Sequence, residues 1–284
     1  MTNRIIALVD GSIYSQSVCE HAAWVAERTG WAVELLHILG RREGTEKADY
    51  SGSIALGART ALLEELAELD AQRARLISHR GRAILEDARA ILDQAGINEI
   101  TTRLRHGDIV DTVAKQEADA EMILIGKRGE AADFAKGHLG SNLERIVRAS
   151  KRPVFVAARA FKPITRVLIA YDGGASAMRA VEHVARTPLY RDLHVSVVTV
   201  GSPNDTTRKQ LADAQAALRA AGLSAETEVV SGQPETALPK LVEEAPYDMV
   251  VMGAYGHSRI RSLIIGSTTT EMIRSCKVPI VLTR

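Results

Sequence analysis

The chain of 284 residues predicts an α/β protein of two repeated, doubly wound parallel-sheet domains, five strands in each, related by a pseudo-two-fold axis. Three observations predict it. Short apolar runs alternate with helical patterns, the order of a parallel sheet with right-handed crossovers. The segment RVLIAYDGGAS (166–176) repeats RIIALVDGSIY (4–14), which sets Asp172 on Asp10 and Glu182-His183 on Glu20-His21. A strand, a glycine loop and a helix opening also follow one another twice, as EMILIGKRGEAADFAKGHLGSN (121–142) and DMVVMGAYGHSRIRSLIIGST (248–268).

The elements follow in order. Residues 4–9 (RIIALV) are a continuous apolar run stopped by Asp10-Gly11-Ser12, as expected of a strand buried on both faces. Val18, Ala22, Val25 and Ala26 recur with helical spacing and Thr29-Gly30 closes that helix. Residues 32–38 (AVELLHI) are the second strand. Residues 41–57 are polar, glycine-containing and unperiodic, so they read as a mobile loop. From 58 to 95 leucines and isoleucines recur among Glu, Arg and Ala, with Gly81 as a potential break, so the pattern fits one bent helix or two. This helix either lays one stripe on the sheet or serves as a lid or partner-binding arm. Residues 99–104, 121–125 and 153–157 supply the remaining strands of the first domain, with a helix at 108–116 and another from Ser141.

The second copy can be counted against the first. HVSVVTV (194–200) repeats the second strand and 225–230 the third. Gly40 to Gly96 spans 56 residues whereas Gly201 to Gly222 spans 21, so one fold carries an insertion of about 35 residues in its first copy. The expected domains are 1–158, with a helical insertion at about 41–80, and 164–284, joined by a linker over 158–163.

Composition excludes several partners. Lys plus Arg (36) nearly balances Asp plus Glu (35), so no basic field advertises nucleic acid or an anionic membrane. Cys19 and Cys276 lie far apart, which fits buried thiols in a reducing interior. With no signal peptide pattern and no run of about 18 apolar residues, the expected location is the cytoplasm. No His, Cys or carboxylate set stands at a metal-ligand spacing, and the G-x4-GK[ST] phosphate loop and G-x-S-x-G nucleophile turn are absent.

The chemistry lies at the carboxyl ends of the strands, where open parallel sheets bind ligands at a reversal of strand order. Asp10 and Asp172 end first strands, and Gly126 and Gly253 end fourth strands. If those strands are neighbours, each acid faces its own glycine loop. A glycine loop lets backbone N–H groups approach a phosphate, and the following helix opening adds the positive end of its dipole. Ser141 or Ser267 would add a hydroxyl. The plainer alternative is that the glycines serve turns and close packing, and that the aspartates cap the turns ahead of them. Lys127, Arg128, His257 and Arg259 lie inside the loops, where each can meet a phosphate or solvent.

The pattern G-x2-G-x9-G-S/T in GAYGHSRIRSLIIGSTT, with VLIAYD before it and the closing strand VPIVLT after it, resembles the universal stress protein family. The whole chain resembles its tandem form, apart from residues 41–80 or so. The resemblance implies an adenine nucleotide alpha hydrolase-like fold and ATP as ligand, with or without Mg2+. It implies adenine near the acid of strand one and an apolar residue of strand two. Carried over, the positions are Asp172, Val200, Met252, Gly253, Gly256, Gly266, Ser267 and Thr268 in the second copy. In the first copy they are Asp10, Ile38, Ile125, Gly126, Gly129, Gly140, Ser141 and Asn142, where the loop is longer by one residue. The closing strands PVFVA and VPIVL are expected to pair as an internal pseudo-dimer, and further pairing of whole chains into a homodimer is open.

Two functions of different class follow. The first is a stress or signalling protein in which ATP biases a conformation or a partner interface; the loops supply no evident general base, so any hydrolysis is slow and the protein is not expected to be an enzyme. The second is an interaction scaffold that uses the insertion, with a protein partner and no nucleotide. An enzyme that consumes ATP ranks third.

Overall fold

The computed structural model describes residues 3–40, 56–127, 129, 140–254 and 266–284, with the side chains of 56–61 left aside. The described strands of the first half are β1 (Arg4–Leu8), β2 (Ala32–Leu39), β3 (Ile100–His106), β4 (Ala120–Gly126) and β5 (Val154–Ala157). Those of the second are β6 (Arg166–Ala170), β7 (His194–Val200), β8 (Ala225–Val230), β9 (Met249–Gly253) and β10 (Ile280–Thr283). All belong to one sheet of order β3-β2-β1-β4-β5-β10-β9-β6-β7-β8. Every neighbour pair is parallel except β5 with β10, where Val156, Phe155 and Val154 oppose Ile280, Val281 and Leu282. Two five-stranded parallel sheets of the same strand order thus meet across one antiparallel seam.

Burial explains why these segments are strands. The central ones are apolar on both faces because helices cover both. Ile5, Ala7, Leu35, Val167, Val197 and Val251 face one core, whereas Ile6, Leu8, Leu36, Leu168, Val198 and Val250 face the other. Both cores run through both halves. The outermost strands, β3 (ITTRLRH) and β8 (AETEVV), are the more exposed, and their arginines and glutamates suit edges that must not recruit another strand.

The first half's helices are α1 (Ile13–Thr29), α2 (Leu56–Gln94), α3 (Ile109–Gln116) and α4 (Ser141–Ala149). The second half's are α5 (Ala175–Arg186), α6 (Asp205–Ala220), α7 (Pro234–Glu244) and α8 (Ser267–Ser275). Local chemistry sets their ends. The Ser12 hydroxyl caps α1 at Tyr14 N–H, Gly30 in the left-handed region (φ 71°) closes it, and Asp108 caps α3. The loop expected over 41–57 lies outside the described residues up to 55.

Helix α2 runs unbroken through Gly81, so of the two alternatives the pattern is one helix. A Cβ on Gly81 would stand 2.8 Å from Leu104 Cδ1 and 3.0 Å from His37 Cδ2. The glycine lets the helix lie close on β2 and β3, and the contact offsets its poor helix propensity. Counting back from Gly96 and from Gly222 sets Ile84, Leu85, Ala88 and Leu92 on Gln210, Leu211, Ala214 and Leu218. By the same count, His79 corresponds to Asp205, the first residue of α6. The extra residues therefore prolong the crossover helix at its N-terminal end and leave the sheet-packing part intact.

The halves are tied by more than the seam. Arg28 Nε donates to the Leu189 carbonyl at 2.8 Å, and its Nη2 to that of Arg191. Arg284 Nη1 donates to the Arg148 carbonyl at 3.0 Å. His21 sits between the rings of Phe155 and Phe161, with centroids 5.3 and 5.1 Å away. His183, its counterpart, packs edge-on against Tyr190 at 5.5 Å. Both are helix residues, His21 buried and His183 half-buried with its Nε2 enclosed. Cys19 and Cys276 are free and buried, and burial raises their thiols to about 12 and about 11.

Candidate functional site

The strand order puts β1 between β2 and β4, and β6 between β7 and β9, so each half has its reversal point at the predicted acid. Register then aligns the predicted residues. Ala170 pairs with Val198 and with Met252; two residues on, Asp172 and Val200 stand level, and Gly253 ends the strand on the other side. The first half repeats this: Leu8 pairs with Leu36 and Ala7 with Leu124, which brings Asp10 level with Ile38 and beside Ile125-Gly126. The supporting hydrogen bonds repeat as well. Val9 N–H donates to the Leu36 carbonyl at 3.1 Å and Tyr171 N–H to that of Val198 at 2.9 Å. His37 Nδ1 and Thr199 Oγ1 donate to the carbonyls of Val9 and Tyr171, at 2.7 and 2.8 Å.

Each aspartate first organises its own turn. Asp10 Oδ1 accepts from Ser12 N–H at 3.0 Å and from the Ser15 hydroxyl at 3.2 Å, and Asp172 Oδ1 accepts from Gly174 N–H at 2.8 Å. Gly11 and Gly173 both adopt φ +77°, which an L side chain resists. The capping alternative is therefore realised at Oδ1 of both acids, and it aims the carboxylates from the strand ends. Gly129 of the first loop lies against the other oxygen, since a Cβ there would sit 2.9 Å from Asp10 Oδ2. The loop backbone and the acid do meet in the first half. Gly256, the matching glycine of the second loop, lies outside the described residues, as do Arg128, His257 and Arg259.

Gly253 serves close packing. A Cβ would stand 2.4 Å from Ser176 Oγ and 2.9 Å from the Ser176 backbone carbon, so only glycine lets the first turn of α5 approach β9. The surrounding bonds hold the strand end and helix opening together: Thr269 Oγ1 donates to the Gly253 carbonyl at 3.3 Å and Gly266 N–H to that of Ala254 at 3.3 Å. Helix α8 then begins with Thr270 N–H on the Gly266 carbonyl at 2.9 Å. The N–H groups of Ser267, Thr268 and Thr269 precede that first helical bond, at the positive end of the dipole.

Glu235, which sequence reasoning missed, holds this opening. The hydroxyls of Ser267 and Thr268 both donate to its Oε1 at 3.0 Å. Hydrogen bonds from its own N–H, Thr268 and Ser267 hold the Glu235 carboxyl below the ordinary carboxylate range. A negative group therefore already occupies the hydroxyls assigned to phosphate. The available signal was Pro234-Glu235, a proline and an acid in the first turn of α7, but the contact spans 32 residues. In the first half Val110 takes that position by count from Gly107 and Gly232, and Gly140, Ser141 and Asn142 open α4 at the surface.

Two further differences separate the halves. Over Gly11 lies Ile84, whose Cδ1 would be 2.8 Å from an added Cβ; over Gly173 lies the amide of Gln210, at 2.5 Å. One crevice is roofed by hydrocarbon and the other by a group able to hydrogen-bond. Lys127, a candidate phosphate partner, instead donates its Nζ to the Cys276 carbonyl across the seam. Among the described residues no group of three or more His, Cys, Asp or Glu side chains could hold a metal ion, and no helix is long and apolar enough to cross a membrane.

Comparison with known proteins agrees with this geometry. The family model described as "Universal stress protein family" matches residues 1–158 and again 163–284. The universal stress protein Slr1230 of Synechocystis sp. is 37% identical over 284 residues, 99% of each chain. The universal stress protein Rv1996 of Mycobacterium tuberculosis is 26% identical over 211 residues, 66% of each chain. Among solved structures, a universal stress protein from Archaeoglobus fulgidus superposes with a TM-score of 0.75 at 23% identity, over 100% of this chain and 99% of that one.

Proposed function

Because the chain belongs to the universal stress protein family, we propose that it binds ATP in the crevice of its second half, and that binding without efficient turnover is its biochemical activity in a stress or signalling role. The observation that carries this reading is the alignment of Asp172, Val200 and Met252-Gly253 around the reversal point, with the start of α8 beside Gly253. Adenine rests against Val200 and Met252, Asp172 takes a polar edge of the base or sugar, and the phosphates meet the N–H groups of Ser267, Thr268 and Thr269. Glu235 must give way or be bridged at the two hydroxyls. A Mg2+ ion carried in with the phosphates would moderate the repulsion between them and that carboxylate.

The second half is favoured over the first on chemistry. Gln210 offers hydrogen bonds above the Asp172 turn where Ile84 offers none, and the second loop keeps the nine-residue spacing. At the described helix opening the one carboxylate, Glu235, already accepts from two hydroxyls and is made a weaker base by its lowered pKa, which disfavours it for activating water. We further propose a cytoplasmic location, and two domains divided as the repeat divides.

The test is mass spectrometry of small molecules released from the purified full chain, followed by calorimetry on stripped protein. The expected result is a released adenine nucleotide and saturable ATP binding. Protein that carries none and binds none at millimolar ATP would overturn the reading.

A further inference from the structure

The part of α2 that precedes the sheet-packing region has no counterpart in the second half, and it exposes apolar surface. Among the described residues the exposed large apolar side chains are Ile13 (55%), Leu63 (49%), Leu69 (55%) and Leu76 (70%), and three of these four lie on this one segment. Leu62, Leu66, Leu69, Arg73 and Leu76 recur at alternating steps of four and three, the seam of a two-stranded coiled coil. That seam does not continue the face lying on the sheet. Gly81, Leu85, Ala88 and Leu92 are buried, whereas Ala83, Asp87 and Ala90, which prolong the leucine line, are exposed. Among the described residues, therefore, the body of the protein leaves the leucine side open.

Charge selects the occupant. Along the segment four acids (Glu64, Glu65, Glu68, Asp70) are followed by three arginines (Arg73, Arg75, Arg80). A parallel copy would set acids on acids and arginines on arginines. An antiparallel copy sets each acidic part on a basic one.

We propose that residues 62–80 of α2 dock antiparallel on the same segment of a second copy of this chain, forming a symmetric two-helix seam. With the overlap centred on Ala71, Leu66 of each copy meets Leu76 of the other and Leu63 lies beside Ile77. Leu69 meets the stem of Arg73, whose guanidinium reaches Asp70 of the second copy. The contact covers about 28 Å of helix at 1.5 Å per residue, so the dimer is concentration- and salt-dependent. It lies apart from the strand seam and the nucleotide crevice of the second half, and does not depend on ATP binding.

Sedimentation of the full chain tests this. The wild type is expected to shift from monomer to dimer with rising concentration, and Leu66→Glu with Leu76→Glu to weaken association by about a hundredfold. A charge swap guards against simple misfolding. Asp70→Arg alone and Arg73→Asp alone should each associate at least about tenfold more weakly, and a mixture of the two single variants should regain a heterodimer. A wild type that stays monomeric up to about 0.1 mM, where a micromolar seam would be saturated, overturns the proposal. So does a dimer that survives both leucine substitutions, or a mixture that regains nothing, since a different protein or another face would then be the occupant.

Discussion

The two halves share one frame and differ at the points where a ligand would be judged. Strand order, register and the turn built on each aspartate repeat with closely matching hydrogen bonds. What changes is the lining: Ile84 against Gln210 over the turn glycine, Val110 in the sequence position of Glu235, and a first crossover helix extended at its N-terminal end. A duplicated fold can thus keep its scaffold while its two crevices diverge. The second half has the polar crevice, and the first has the projecting helix.

This contrast can be tested by steps, from the largest effect to the smallest. Gly253→Val should destabilise the chain most, by about 2–4 kcal/mol, because the added side chain meets the Ser176 backbone as well as its hydroxyl. Gly129→Ala meets, among the described residues, only a carboxylate oxygen of Asp10 and should cost under about 1 kcal/mol. Urea unfolding of both variants measures the difference.

Acid should separate the paired histidines. Burial lowers His183 to about 4, from an ordinary value of 6.5. Burial also lowers His21, but its Nδ1 bond to the Ser17 carbonyl, 2.6 Å long, opposes the shift. The unfolded chain then binds a proton that folded His183 refuses, so stability is full above about pH 6.5 and falls as pH drops toward about 4. The slope from this one group is at most about 1.4 kcal/mol per pH unit. His183→Gln should flatten the fall in unfolding midpoint between pH 6.5 and 5, and His21→Gln should flatten it less.

At the crevice proposed for nucleotide, Asp172→Asn keeps an acceptor for Gly174 N–H while removing the charge. It should weaken ATP binding about tenfold, whereas Asp10→Asn should change it less than about twofold. Glu235→Gln should act in the opposite direction. It removes the negative group from the Ser267 and Thr268 hydroxyls, so ATP should bind about threefold to tenfold more tightly and adenosine unchanged. Equal gains for both ligands would show that Glu235 does not face the phosphates.

Much of this frame was legible in the residues. Runs such as RIIAL and MVVMG name buried parallel strands because both faces must be apolar, and the repeat fixed which segments correspond. Gly81 was harder to read. A glycine inside a helical pattern looks the same whether it breaks the helix or admits a neighbour, and only the closeness of Leu104 and His37 decides. Lys127 and Glu235 were illegible for a related reason. Their partners are 149 and 32 residues away, so no local spacing announces them. Asp10 and Asp172 were legible as strand-end acids and equally as turn caps; both descriptions hold, one for each carboxylate oxygen of Asp10.

The central claim is that the second half, and not the first, holds the nucleotide. Calorimetric titration of stripped full-length protein with ATP tests it most directly, run on the wild type, Asp172→Asn and Asp10→Asn. The account predicts about one ATP per chain, weakened by Asp172→Asn and retained by Asp10→Asn. Two equivalent sites per chain, or binding lost with Asp10→Asn and untouched by Asp172→Asn, would contradict it.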